Sequence, residues 1–159
     1  MEVNLHIYSG IGNLIAIVDG IRNDLHISSK EVDHVYNFHG VNFDQLIILL
    51  PPSDPQNDLD VKIFNNDGSI ASNCINGARC VGRFIKDNSL LASNKFKVKT
   101  DGGLWELGNV ENNIFSAAFE VKAEIITKKV EAKGIELSLD CINLGNLHGV
   151  TFENKQIDM

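Results

Sequence analysis

Apolar residues alternate with polar ones, or form short unbroken runs, along most of the chain, and both patterns are typical of strands. Positions 3, 5 and 7 are apolar and separated by polar residues, whereas 14–18 is a nearly continuous apolar run closed by Asp19-Gly20. These two strands predict a hairpin with a glycine-rich tip. Further strands are predicted at 41–50, 59–63, 96–98, 104–107, 114–121, 135–139 and 147–152.

Two stretches have the 3.6-residue spacing of helices instead. Ser28 with Glu31 has the form of a capping box, and apolar residues at 32, 35 and 36 predict a short helix that Gly40 can end. The second helix is predicted from near Asn76 to 86–88, with apolar residues at 78, 81, 84 and 85 on one face. The chain is therefore strand-rich with two helices.

Cys74 immediately precedes the second predicted helix. A helix N-terminus presents unpaired N–H groups and a partial positive charge, which lower the pKa of a thiol and hold a carboxylate. We therefore expect Cys74 to be alkylated before the other two cysteines, although a lone cysteine is more often a small buried residue. Cys80 lies about 9 Å further along the helix axis and on another side, so we expect it in the core.

Composition excludes several classes of protein. The chain has 159 residues, 43% of them hydrophobic, which is enough for one ordinary domain or for one and a fraction. Fourteen basic against 21 acidic residues give a net charge of -7, and there is no basic run, so neither nucleic acid nor an anionic membrane is an expected partner. Three scattered cysteines without a CxxC pair predict neither a disulfide framework nor a metal site. The cysteine pattern therefore favours a reducing compartment. No apolar run is long enough to span a bilayer, so a cytoplasmic location is expected.

Residues 74–80 read Cys-Ile-Asn-Gly-Ala-Arg-Cys and follow an Asn-Asn-Asp-Gly-Ser turn at 65–69. This block resembles the signature of the diaminopimelate epimerase family, in which the cysteine is followed by Gly-Asn-Gly-Ala-Arg-Cys, except that Ile75 replaces the first glycine. Similar motifs occur in family order at 10–13, 40–46, 100–103 and 145–148. The usual Asp-Phe after the first motif is Leu14-Ile15 here, Asn42 replaces a glycine, and Leu147 replaces a proline.

The resemblance implies an α+β fold, with a mixed, mostly antiparallel sheet curled around a central helix. It implies a first epimerase-like domain over residues 1–121 that carries the first catalytic cysteine. Residues 122–159 would then be the opening strands of a second, truncated, pseudo-symmetric half.

The resemblance also implies an isomerase that interconverts LL- and meso-diaminopimelate, for lysine and cell-wall precursor biosynthesis, without pyridoxal phosphate or another cofactor. Two cysteines on opposite faces of the substrate act as acid and base, and Cys74 matches one of them. His148 matches a residue close to the catalytic pair. Substrate-contacting positions of the family fall on Asn13, Gln45, Asn65, Ile75, Asn76 and Asn146. Taken alone, such residues are also typical of turns and strand ends, and no carboxylate or histidine cluster suggests a metal.

A short repeated sequence suggests that a second structural repeat begins near residue 145. Gly12-Asn13-Leu14 recurs as Gly145-Asn146-Leu147, each followed by an apolar strand, and the offset between Asn13 and Asn146 is 133 residues. The same offset places the counterpart of Cys74 at position 207, beyond Met159. We therefore expect no epimerisation by this chain alone, and a homodimer or a complementing second-half polypeptide as its partner. Two alternatives stay open: an inactive half-domain, and a cofactor-independent racemase of another amino acid.

Overall fold

The computed structural model describes residues 4–22, 25, 27–111, 114–120, 124–132, 134–144 and 147–152. The chain divides into two compact units, Met1–Glu120 and Val121–Met159. The elements follow one another as β1 (His6–Gly10), β2 (Asn13–Asp19), α1 (Ser29–His39), β3 (Gln45–Leu50), β4 (Leu59–Asn65), β5 (Ile70–Ala71), α2 (Ile75–Asp87), β6 (Lys95–Thr100), β7 (Gly103–Glu111), β8 (Ile114–Phe119), β9 (Ile126–Ala132), β10 (Ile135–Asn143) and β11 (Leu147–Val150).

The first unit contains an eight-stranded mixed sheet. Its order is β1-β2-β3-β4-β6-β7-β8, with β5 paired to β4. Strands β2 and β3 are parallel, as are β4 and β6, and the other described pairs of this sheet are antiparallel. The mixed, mostly antiparallel sheet that we predicted is therefore present in this unit.

The middle strands of this sheet are covered on both faces, which explains their unbroken apolar sequences. In β2, Ile15 and Ile17 join a core cluster that includes α2, while Ala16 and Val18 join a second cluster that includes Val32 of α1. The first cluster also takes apolar residues from β4, β6 and β7. Helix α2 thus buries its apolar face against the sheet, and Gly77 in its first turn packs against Ile47 near the start of β3.

The two helices begin and end near the predicted residues. The Glu31 carboxylate accepts hydrogen bonds from the backbone N–H and the hydroxyl of Ser28, both at 2.7 Å, and Gly40 has a φ of 63°. Both features fix the ends of α1 as the capping-box pattern indicates. No helix in the described part of the chain is long and apolar enough to cross a membrane.

Several strands differ from the prediction. The strand expected from residue 41 begins only at Gln45. The preceding Asp44 is attached to β2 through its side chain as well as its backbone: Leu14 N–H donates to its carboxylate at 2.7 Å, and its own N–H donates to Leu14 O at 2.8 Å. The patterns also missed β5, which has two residues, and β9, whose described side chains are exposed and therefore carry no apolar alternation. The last strand ends at Val150 instead of Phe152.

The second unit is a three-stranded antiparallel sheet in the order β11-β10-β9. Strand β10 lies in the middle, pairing Cys141 with Gly149 on one side and with Ile126 on the other. Leu137 is its one buried apolar side chain among the described residues. The proposed repeat begins with Gly145 and Asn146, and both lie outside the described residues.

Candidate functional site

Cys74 is the N-cap residue of α2, directly before the first helical residue. Its backbone is extended, with φ -148° and ψ 96°, and its Sγ accepts a hydrogen bond from the backbone N–H of Gly77 at 3.1 Å. The thiol thus takes the capping role that serine or aspartate usually has. Only 8% of the residue is exposed.

Burial raises the pKa of the Cys74 thiol above its ordinary value. The N–H groups of Gly77 and Asn76 and the positive charge of Arg79 act in the opposite direction and lower the pKa. The lowered pKa expected from the helix N-terminus is therefore wrong, because desolvation of the thiolate is the largest effect. The N–H groups remain in place to stabilise the thiolate once it forms.

All three cysteines are free. Cys80 is buried on the face of α2 that packs against the sheet, which confirms the prediction that it belongs to the core. Cys141 in β10 is only partly buried. The structure therefore changes the expected order of alkylation, since the thiol of Cys141 is more accessible than that of Cys74.

Gln45 and Asn65 lie opposite each other where β3 begins and β4 ends. The Gln45 amide donates from Nε2 to Asn65 Oδ1 at 3.0 Å, and Asn65 donates from Nδ2 to Ser69 Oγ at 2.9 Å. Both side chains are partly buried. The structure thus brings together two of the predicted substrate-binding residues as one bonded pair.

Asn13 is the first residue of β2, at the same end of the sheet as Gln45, and pairs with Gly10 across the β1–β2 hairpin. Gly10 packs directly on the first turn of α2, because a Cβ there would lie 2.9 Å from Asn76 O and 3.1 Å from Cys80 Sγ. The exposed Ile11 between them has a φ of 53°, which a β-branched residue rarely adopts. The hairpin tip therefore lies beside the N-terminal turn that Cys74 caps.

Ile75 and Asn76 form the first turn of α2. Asn76 accepts a hydrogen bond through Oδ1 from the Arg79 guanidinium at 2.8 Å, which holds this side chain against its own helix. Ile75 is 36% exposed, so its branched side chain reaches solvent directly after the thiol. An apolar group therefore stands where the family signature has no side chain.

The two remaining predicted residues belong to the second unit. His148 lies in β11, opposite Ile142 of β10, and is exposed. Asn146 lies outside the described residues. Among the described residues, no group of three or more histidine, cysteine or acidic side chains is arranged to hold a metal ion.

Two hydrogen bonds to the residues immediately before Cys74 were not predicted. The indole Nε1–H of Trp105 in β7 donates to Asn73 Oδ1 at 2.7 Å, and Gly102 N–H donates to Ser72 O at 2.8 Å. The sequence has a family-like motif at 100–103 but gave no sign of the element that it contacts. The sole tryptophan, at an inward-facing strand position, was the available signal, since a buried indole usually finds an acceptor.

Comparison with known proteins supports this description. The family model described as diaminopimelate epimerase matches residues 5–117. The diaminopimelate epimerases of Stutzerimonas stutzeri (strain A1501) and Pseudomonas aeruginosa (strain UCBPP-PA14) are each 34% identical to the chain, over 89% of its length. The match covers 56% of each of these relatives, so the chain spans little more than half their length.

Solved structures show the same fold at low sequence identity. A hydroxyproline epimerase from Agrobacterium vitis, with bound trans-4-hydroxy-L-proline, aligns with a TM-score of 0.68 at 11% identity, over 94% of this chain and 51% of that protein. The Bacillus anthracis phenazine biosynthesis protein of the PhzF family aligns with a TM-score of 0.56 at 18% identity, over 87% and 50%. The fold is thus a mixed, curled sheet with few helices, as in these proteins. With its family model matched over residues 5–117, the chain belongs to the diaminopimelate epimerase family.

Proposed function

We propose that this chain provides the Cys74 half of a cofactor-independent amino-acid isomerase whose substrate is diaminopimelate. The observation that carries the proposal is the position of the Cys74 thiol, which caps α2 and accepts the Gly77 N–H at 3.1 Å, in a chain of this family. The reaction interconverts the LL and meso isomers, for lysine and cell-wall precursor synthesis. The α-carboxylate of an amino acid suits a site whose donors are backbone N–H groups.

Cys74 acts as one acid/base of the reaction. Its thiolate takes the α-proton, so that the Cα–H bond breaks, an S–H bond forms, and the electron pair remains on the α-carbon next to the carboxylate. The N–H groups at the start of α2 stabilise the negative charge that develops there. Because these groups are fixed before the substrate arrives, they need no reorganisation during proton transfer.

Inversion needs a second acid on the opposite face of the α-carbon. Cys80 is unsuited to this role because it is buried between α2 and the sheet. We propose that the second thiol comes from another chain, either a second copy of this one in a homodimer or a polypeptide that carries the second half. Without it, Cys74 can remove and return a proton on one face only.

We propose that the substrate-binding residues lie together at one end of the sheet, next to the start of α2. Gln45, Asn65, Asn13 and Asn76 supply amide groups around the N-terminus of α2, and we propose that they hold the amino-acid end next to the thiol. The bonded Gln45–Asn65 pair is already oriented, so substrate binding costs little side-chain entropy there. Asn146 and His148 are assigned to the site through the family resemblance.

Ile75 supports a second candidate, an isomerase of another amino acid. Its side chain is 36% exposed next to the thiol and replaces a glycine of the family signature. A branched side chain in place of glycine at this position reduces the space available to the substrate. The chemistry assigned to Cys74 is the same in both candidates, and only the substrate differs.

The test measures exchange of the substrate's α-proton with solvent deuterium, using the 159-residue chain in D₂O. The chain is incubated with LL-diaminopimelate, meso-diaminopimelate and, as a single-ended control, lysine; α-deuterium is followed by mass spectrometry and configuration by chiral chromatography. We expect deuterium to enter diaminopimelate with little inversion. Exchange into lysine at an equal or higher rate would favour the second candidate, and no exchange into any amino acid would contradict both.

A further inference from the structure

The segment that leads into Cys74 belongs to no helix or strand. Ser72 and Asn73 lie between β5 and α2, so no sheet ladder or helical hydrogen bond fixes them. Two donors from the β6–β7 hairpin bind them instead: Gly102 N–H to Ser72 O at 2.8 Å, and Trp105 Nε1–H to Asn73 Oδ1 at 2.7 Å. Two consecutive residues before the thiol are thus attached to the same hairpin.

The hairpin is a rigid support. Trp105 is 1% exposed and belongs to the core between the sheet and α2. Thr100 Oγ1 accepts the N–H of Gly102 at 3.0 Å and donates to Gly103 O at 2.9 Å, which fixes the turn from inside. A Cβ at residue 102 would lie 2.6 Å from Ser72 O, so the close approach of the two segments requires glycine there.

We propose that Trp105 and Asn73 are positioning residues for Cys74, acting through their hydrogen bond to hold the thiol at the start of α2. This proposal rests on the function proposed above, because it assigns the bond a purpose in proton transfer. Cys74 is held from two sides, by the Gly77 N–H on its sulfur and by the indole on the residue before it. Small displacements of a reacting group lower the rate steeply, so a thiol on an irregular segment needs such a second attachment.

The test compares Asn73→Ala, Trp105→Phe and the double variant with the wild-type chain. Asn37→Ala in α1 is the control, because the Asn37 amide donates to Asp33 of the same helix. Alkylation of each cysteine in the native protein is followed by peptide mapping. Because burial is what chiefly protects the Cys74 thiol, a loosened segment leaves it better hydrated. We expect Cys74 to react about five- to tenfold faster in Asn73→Ala, the order of one lost hydrogen bond. Cys80, on the buried face of α2, is expected to keep its rate.

The double variant separates positioning from general loss of stability. If the two residues act through one bond, the double variant alkylates Cys74 no faster than the more affected single variant. Fluorescence of Trp105, the sole tryptophan, should also change in Asn73→Ala. Equal acceleration of Cys80, additive effects, or an unchanged Cys74 rate in Asn73→Ala would each overturn the proposal.

The alkylation result does not depend on turnover, so the two proposals fail separately. Absence of α-proton exchange in the wild-type chain counts against the proposed function, while the contrast between Cys74 and Cys80 still decides the positioning role. In a chain that does exchange, we also expect Asn73→Ala to slow the exchange rate at saturating substrate while Cys74 alkylation becomes faster. A parallel fall in both rates would contradict positioning.

Discussion

The backbone N–H of Gly77 donates to Cys74 Sγ at 3.1 Å, and a Cβ added to Gly77 would lie 2.9 Å from that same sulfur. The same Cβ would lie 2.5 Å from Ile47 Cδ1 in β3. Glycine is needed here for close packing and not for an unusual backbone conformation, because Gly77 lies within α2 and is not among the residues with positive φ. The lack of a side chain at Gly77 thus allows both the Cys74 sulfur and strand β3 to pack closely against the start of the helix.

Gly77→Ala should destabilise the chain and disturb the thiol together. Alanine normally favours a helix interior over glycine, but here overpacking against Ile47 and Cys74 should lower the free energy of unfolding by about 1–3 kcal/mol. Urea denaturation measures the first effect and native-state alkylation of Cys74 the second. An alanine variant more stable than the wild type would show that the packing is not tight.

The two clashes can be separated by a second substitution. Ile47→Val removes the Cδ1 atom that meets the added Cβ but leaves the contact with the sulfur. The double variant Gly77→Ala/Ile47→Val should therefore recover stability relative to Gly77→Ala, corrected for Ile47→Val alone, without recovering the wild-type alkylation rate of Cys74. Recovery of both properties would mean that the sulfur contact has no effect of its own.

Arg79→Ala should raise the pKa of Cys74 further. Burial already raises this pKa, and the Arg79 charge is among the groups that lower it. Losing the charge reduces the thiolate fraction at any pH below that pKa, so Cys74 alkylation should become severalfold slower, and its pH profile should move to higher pH. The profile is obtained by measuring the alkylation rate of Cys74 at successive pH values between 7 and 10.

Two variants serve as controls for Arg79→Ala. Arg79→Lys keeps the charge and should stay close to the wild type. Arg83→Ala removes a cation from the same helix, but Arg83 pairs with Asp87 at 2.7 Å in the last turn and should leave Cys74 unaffected. An equal effect of Arg79→Ala and Arg83→Ala would contradict a local role.

Ile75→Gly should tighten the binding of an amino-acid ligand if the isoleucine side chain obstructs the carboxylate position. The residue is 36% exposed at the first turn of α2, and its backbone N–H is unaffected by the substitution. Calorimetric titration with diaminopimelate measures the affinity, and Ile75→Ala controls for the lower helix propensity of glycine. Weaker binding to a folded glycine variant would sink the idea of obstruction.

The order of alkylation in the wild-type chain is a further expectation. Cys141 is only partly buried, whereas Cys74 and Cys80 are buried and burial raises the pKa of both thiols. We therefore expect Cys141 to react first, then Cys74 at the helix end, then Cys80. Peptide mapping after short exposure to iodoacetamide at pH 8 determines the order, and reaction of Cys80 before Cys74 would contradict it.

Local patterns predicted the helices well and the site only in part. Ser28 with Glu31, and Gly40, fix α1 through contacts within a few residues, so the sequence was sufficient there. The unbroken apolar run of β2 likewise predicted a strand, since both of its faces are buried. By contrast, β9 exposes its described side chains and left no pattern.

The pKa of Cys74 and the role of Trp105 depend on long-range packing. A helix N-terminus alone predicts a lowered thiol pKa, but how deeply Cys74 is buried depends on the strands that pack around α2. The Trp105–Asn73 bond joins residues 32 positions apart, and no local motif specifies such a pair. Family resemblance indicated Cys74 as the catalytic candidate, whereas the structure was needed to find the contacts that hold it.

The most direct measurement is α-proton exchange in D₂O by three proteins: the wild-type chain, Cys74→Ala and Cys80→Ala. Cys74 caps α2, Cys80 lies within it, and both are buried, so the two variants remove the same group from nearby positions. If Cys74 is the base, Cys74→Ala abolishes deuterium incorporation into diaminopimelate, while Cys80→Ala, if folded, retains it. Deuterium incorporation that persists in Cys74→Ala would contradict the assignment of Cys74.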